Sequence, residues 1–332
     1  MKQRTHLQFS SLIGQQKAKD LLIKSFMRGR MSHAFLFRGP AGVGKKTAAA
    51  IFATLINCAN HQAGESCGTC SSCVKFTAAS HPDFHVIAPD GAAIKIKQVR
   101  DLKHMLTFPP FEADYRVVVL EDVHTMRREA ANSLLKILEE PPENTLLILT
   151  ADDSATVLPT IISRCQTIPF YPLSYDAVAG LLISEDIDPP TARTLAVASA
   201  GRIGQARLLN DKNLLPLRQE IISSLLALSP DQPEAVVKVF DLSEKSAKLK
   251  DNLEDLLNLL TLWLRDLILD KTSERTAQKA FPDHENELST ARLRWNVSEL
   301  FDRIELIEKA KKQLLRNCNR AMVCEVLFFA LL

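Results

Sequence analysis

At 332 residues, with 46% apolar and 24% charged side chains, the chain is long enough for two or three domains with real cores. A formal charge of +2 gives no global attraction for nucleic acid or an anionic membrane. The N-terminal text lacks a leader pattern and no apolar run reaches the ~18 residues of a membrane span, so a cytoplasmic location without membrane contact is expected. In chain order, residues 33–38 predict a short apolar strand, and the Ala-rich stretch 47–57 a helix. Further strands are expected at 84–87, 116–120, 146–150 and, more weakly, 167–170. Between them, 127–140 carries Ala131, Leu134, Leu135 and Leu138 at helical spacing and stops at Pro141-Pro142. Unalternating apolar strands separated by helices predict an α/β fold with a parallel sheet covered on both faces. Residues 172–210 show no strand pattern and read as a small helical domain. From about 214 onward the text is helical, with amphipathic stretches at 253–269 and 300–315 and an inter-helix turn at 230–233.

The strand at 33–38 runs into Gly39-Pro40-Ala41-Gly42-Val43-Gly44-Lys45-Lys46-Thr47. This completes G-x-x-x-x-G-K, the loop whose backbone N–H groups and Lys take up phosphates. The next residue should be a hydroxyl that holds Mg²⁺, and here it is Lys46. A Lys offers no metal-ligating oxygen and brings positive charge to the cation's place. The loop can cradle the phosphates of ATP or ADP but is badly equipped for Mg²⁺-dependent hydrolysis. Lys45 either binds phosphate or is solvated.

The strand 116–120 ends in Glu121-Asp122, where a second acidic motif of a phosphate-loop enzyme would lie. A metal-binding Asp followed by a water-activating Glu would be expected, and the order is reversed. A carboxylate one methylene short reaches the attacking water poorly. The plain alternative is two acids at a strand end. Thr150, at the end of the fourth strand, is either a γ-phosphate sensor or structural. Cys58, Cys67, Cys70 and Cys73 read C-x8-C-x2-C-x2-C, a full set of thiolates for tetrahedral Zn²⁺ with a closed shell. Free thiols and an iron–sulfur cluster are the alternatives. Ser163-Arg164-Cys165 places an Arg in a short connector, where it is either solvated or offered to a neighbour's γ-phosphate in trans. Cys165, Cys318 and Cys324 read as small core residues, and the pairs Arg127-Arg128 and Lys311-Lys312 as solvated helix faces.

Together these residues resemble the clamp-loader branch of the AAA+ proteins. The likeness runs from Phe9-Ser10-Ser11-Leu12-Ile13-Gly14-Gln15, through the glycine loop and the four cysteines, to Asn132-Ser133-Leu134-Leu135-Lys136-Ile137-Leu138-Glu139-Glu140-Pro141-Pro142 and Ser163-Arg164-Cys165. It is strong over 9–170, weaker over 171–210 and only architectural beyond. It implies an AAA+ nucleotide domain (1–170) with a zinc-binding insertion (58–73), a small helical lid (171–212) and an all-α collar (213–332). Within that family two subunit types carry the zinc module: the gamma/tau motor, an active ATPase, and a sister subunit that has lost hydrolysis. Lys46, the order Glu121-Asp122, and Gly204, where the motor carries a nucleotide-touching Arg, all point to the sister type. The resemblance then implies a subunit of the bacterial DNA polymerase III holoenzyme with no ATPase or polymerase activity of its own. Its partners would be the gamma/tau and delta subunits and, through the complex, the sliding clamp and primer–template DNA. Arg164 would be offered to the neighbouring motor's ATP. The degenerate nucleotide site would comprise Gly39, Gly42, Gly44, Lys45, Lys46, Thr47, Glu121, Asp122 and Thr150. The rival reading is an active motor of gamma/tau type.

Overall fold

The computed structural model describes residues 7–152, 157–229, 231–272 and 285–332. Pro230, at the expected inter-helix turn, lies outside them. The chain forms two compact units, Met1–Leu173 and Ser174–Leu332.

The first unit is built on strands β1 (Ala34–Arg38), β2 (Phe84–Ile87), β3 (Arg116–Leu120), β4 (Thr145–Ala151) and β5 (Gln166–Pro169). They form one parallel sheet in the order β2-β3-β4-β1-β5. β3 and β4 are buried along their whole length, which is why their sequences do not alternate. Successive side chains nonetheless enter opposite cores. Phe35, Phe37, Val117, Val119, Leu146 and Ile148 pack on one face with Leu22, Ile51 and Phe52. These last belong to α1 (Gln16–Met27) and α2 (Lys45–Ile56). Leu36, Val118, Leu120, Leu147 and Leu149 enter the other face. There they meet Val99 and Leu102 of α4 (Ile96–Met105) and Leu134 and Leu138 of α5 (Arg128–Glu139). Before α4 comes α3 (Ser71–Thr77), inside the cysteine segment. The short α6 (Pro159–Ile162) precedes β5. The helix expected from residue 47 starts two residues earlier, because Gly44 takes a left-handed conformation at its N-cap.

The second unit is entirely helical among its described residues: α7 (Tyr175–Ser184), α8 (Pro189–Ala198), α9 (Ile203–Asp211), α10 (Leu214–Ala227), α11 (Pro233–Ala247), α12 (Leu253–Thr272), α13 (Glu285–Arg294), α14 (Val297–Leu315) and α15 (Arg320–Leu331). Its boundaries are written locally. Ser174 accepts the Ala177 N–H at the start of α7, and Asp188 accepts that of Thr191 ahead of Pro189-Pro190. Asn296 and Glu299 form a capping box on α14. α7 packs on α8, α11 on α15, and α12 and α15 on α14. Trp263 of α12 is buried and meets Trp295 edge-on at 5.9 Å. Of the three cysteines expected in the core, Cys324 is buried and Cys165 half-buried, but Cys318 is exposed. It lies in the turn between α14 and α15, where the helical periodicity that would turn it inward has ended. Among the described residues no helix is long and apolar enough to cross a membrane.

Candidate functional site

The glycine loop leaves the carboxyl end of β1 beside β4 and β5, where phosphate-binding loops of parallel sheets lie. Its shape is set by packing. The Gly39 N–H donates to the Ala151 carbonyl at 3.1 Å, and the Phe170 N–H to the Arg38 carbonyl at 2.7 Å. Gly39 has φ +155°, and a Cβ there would run into the Phe170 carbonyl oxygen. Gly42 and Gly44 follow at φ +81° and +100°. Gln15, itself left-handed and buried, braces the loop from the N-terminal segment. Its Nε2 donates to the carbonyls of Val43 (3.2 Å) and Tyr171 (2.6 Å), and its Oε1 accepts the Tyr171 N–H at 3.1 Å. Beyond its place at the end of the Phe9–Gln15 motif, nothing local in the sequence marks Gln15 for this role.

The charges of the loop are paired within the chain. Lys45 is buried, and its Nζ contacts Asp152 Oδ1 at 2.8 Å, the Pro40 carbonyl at 3.1 Å and the Gly39 carbonyl. The Lys46 Nζ lies 2.5 Å from Glu121 Oε2. The Glu121 side chain is 10% exposed and that of Lys46 60%. Asp122 takes a left-handed conformation, and its N–H donates to Thr150 Oγ1 at 3.0 Å. Thr150 is fully buried, so its hydroxyl ties β4 to the end of β3. Thr47 is exposed on the first turn of α2. The loop, Glu121, Asp122 and Thr150 are thus brought to one edge of the sheet. The donor set does not fit Mg²⁺, because an ammonium rather than a hydroxyl faces the acidic residue.

The four cysteines converge at the other end of α2. Their sulfurs all lie within 4.8 Å of one another, and Cys67 and Cys73 Sγ are 3.9 Å apart. Tetrahedral thiolates at the usual Zn–S length of about 2.3 Å stand roughly 3.8 Å apart, so the cluster fits a metal ion. The Cys67 N–H points at Cys58 Sγ (3.2 Å) and the Cys70 N–H at Cys67 Sγ (3.3 Å). N–H donors from Thr69 and Cys70 pull the Cys67 thiol down to about 5, whereas burial pushes those of Cys58 and Cys73 up. The segment is pinned to the N-terminal stretch. Glu65 accepts the N–H groups of Phe9 (2.7 Å) and Ser10 (2.8 Å), and Ser66 Oγ donates to the Leu7 carbonyl (2.9 Å).

In the segment that follows the cysteines, Asp83 is fully buried and accepts N–H groups from Phe111, Glu112 and Ala113 at 2.6–3.0 Å. Arg116 stands 3.6 Å from Asp83 and donates to the carbonyls of Met105, Phe108 and Pro109. Burial resists ionisation of Asp83, but the three N–H donors and the guanidinium outweigh it and hold the carboxyl below its usual range. His81 stacks on Phe76 of α3 at 4.3 Å, and burial holds it below the usual histidine range.

Arg164 sits between α6 and β5, remote in sequence from the loop. Its side chain is 35% exposed, and Nη2 pairs with Glu139 Oε1 at 2.8 Å. Nη1 donates to the Thr160 carbonyl at 3.0 Å. The motif ending α5 therefore holds the Arg of the separate Ser163-Arg164-Cys165 motif.

A parallel α/β sheet with a glycine loop at the carboxyl end of β1 defines a phosphate-loop α/β protein. The family described as "DNA polymerase III, delta subunit" matches residues 14–174. The DNA polymerase III subunit delta' of Bacillus subtilis (strain 168) is 31% identical over 305 residues, 92% of either chain. The delta' subunit of Pseudomonas aeruginosa is 33% identical over 211 residues, 62% of this chain and 64% of that one. The tau subunit of Bacillus subtilis is 36% identical over 173 residues, 52% of this chain and 30% of that one. The chain belongs to the family of DNA polymerase III delta' subunits, relatives of gamma/tau.

Proposed function

We propose that this chain is the non-hydrolysing stator of a DNA polymerase III clamp loader. It would work beside gamma/tau and delta subunits to place the sliding clamp on primer–template DNA. The observation that carries this reading is the Lys46 ammonium on Glu121, where a motor needs a metal and its acidic partner. An ATPase must stabilise charge developing on the γ-phosphoryl oxygens and orient a water. Here Lys45 is engaged by Asp152, and Thr150 by the backbone of Asp122. ATP or ADP held by such a loop would not be turned over. Zinc on Cys58, Cys67, Cys70 and Cys73 would be structural, since four thiolates leave no open position for chemistry. Residues 171–212 would serve as the lid and 213–332 as the collar that joins the other subunits.

The chain's own contribution to catalysis would be Arg164. A planar guanidinium, held part-exposed by Glu139, suits donation in trans to a neighbouring motor's ATP. Such an arginine is worth roughly 10³–10⁵ in rate at one site. The test is a loader reconstituted with Arg164→Ala. Assembly should be retained and clamp-dependent ATP turnover should fall, though by less than the single-site value, because motor subunits serve the other sites. Arg164→Lys should resemble Ala, since a point charge lacks the fork. Unchanged turnover and loading would reduce Arg164 to a surface residue. Turnover by the isolated chain at motor rates would favour the gamma/tau reading instead.

A further inference from the structure

Each of the two ammoniums of the phosphate loop is paired with a carboxylate. Lys45 meets Asp152 at 2.8 Å and Lys46 meets Glu121 at 2.5 Å. In a metal-dependent site of this kind, a hydroxyl at position 46 would hold the ion and the acid of β3 would balance its charge. Here the acid is already balanced by a cation covalently tied to the loop. Glu121 is only 10% exposed, so its charge needs a partner, and the first turn of α2 supplies one without recruiting an ion. A divalent cation at Glu121 would have to displace that ammonium, and position 46 would offer it no hydroxyl.

We infer that Lys46 is a built-in replacement for the divalent cation, so that whatever affinity the loop has for a nucleoside diphosphate is independent of Mg²⁺. The tethered charge occupies the metal's electrostatic role permanently. It cannot exchange, and it cannot polarise a water as a bound ion does. This deepens the proposed stator reading and rests on it. It concerns binding rather than turnover, so the two can fail separately.

The experiment is a calorimetric titration of the isolated full chain with ADP, in Mg²⁺ and again in EDTA, for the wild type and for Lys46→Thr. Circular dichroism verifies folding, which the exposure of Lys46 favours. The wild type should give the same result in both buffers. Lys46→Thr, with the hydroxyl restored and Glu121 freed, should bind ADP at least about tenfold more tightly in Mg²⁺ than in EDTA. Lys46→Met, which removes the charge without supplying a hydroxyl, should show a smaller Mg²⁺ dependence than Lys46→Thr. A wild type that needs Mg²⁺ to bind ADP would overturn the inference. So would a Lys46→Thr chain indistinguishable from wild type in Mg²⁺, whether both bind or neither does. Motor-rate turnover would instead defeat the stator reading and leave the binding result standing.

Discussion

Helix α2 has a different kind of site at each end. At its C-terminal end Cys58 opens a cluster in which four thiols of one chemical type converge within 4.8 Å. At its N-terminal end the glycine loop keeps the backbone shape of a phosphate cradle, with left-handed glycines at 42 and 44, yet an ammonium stands where a ligand should be. Shape and chemistry are therefore specified separately. The loop's shape comes from packing against β4 and β5 and from Gln15, whereas its capacity for metal hangs on one exposed side chain. In the cysteine cluster the two coincide, because the side chains that converge are themselves the candidate ligands.

The largest effect should come from breaking the cluster. If the four thiols hold zinc as proposed, Cys73→Ser removes a buried candidate ligand, and zinc content should fall from about one ion per chain to near zero by elemental analysis. Structural zinc is worth on the order of 10 kcal/mol in small isolated domains. Here the sheet has its own core, so the loss should appear as faster hydrogen exchange confined largely to residues 58–77. Full zinc retention by the variant would break the contrast between the two ends of α2.

A smaller effect is expected at Asp83, which orders its loop with fixed charges instead of a metal. Asp83→Asn keeps the shape but loses the charge that serves three N–H donors and Arg116, and should cost about 3 kcal/mol in urea unfolding. The sign of the pH dependence follows from the depressed folded value. The contribution is complete above the unfolded Asp range, near about pH 4, and is lost as pH falls through the lower folded value. The variant's stability should therefore be flatter than the wild type's in acid. The comparison is best made at fixed zinc occupancy, since thiolate ligands also protonate there. Equal acid slopes would remove Asp83 from the account.

The smallest pair of effects separates shape from chemistry within the loop itself. Gly39→Ala forces a Cβ onto the Phe170 carbonyl and should cost about 2 kcal/mol or more. Lys46→Thr leaves the 10%-exposed Glu121 without its ammonium, but water reaches the pair through the 60%-exposed Lys side, so the cost should stay below that of Gly39→Ala, at about 1 kcal/mol. Thermal melts of both variants check the ranking. A reversal would mean that the ion pair, not the packing, maintains the loop.

Much of the molecule was legible in the sequence because its signals are local. Continuous apolar runs gave the parallel strands. Pro141-Pro142 ended α5 near where expected, and the spacing of Cys58, Cys67, Cys70 and Cys73 announced their convergence. The order Lys45-Lys46 and Glu121-Asp122 also departs from the metal-binding pattern of a phosphate-loop enzyme. Other features depended on contacts between residues far apart in the chain. That Lys46 reaches Glu121, that Lys45 turns to Asp152, 107 positions away, and that Gln15 clasps Tyr171, 156 positions away, required the strand order β3-β4-β1-β5. The hold of Glu139 on Arg164 joined two motifs that reading along the chain kept apart. In the helical unit the amphipathic stretches announced helices, but not that α11 packs against α15. Periodicity and helix-stopping prolines act over one or two turns and can be read in place. Which distant side chains share a charge or a core is decided only when the sheet order and the helix packing bring them within a few ångströms.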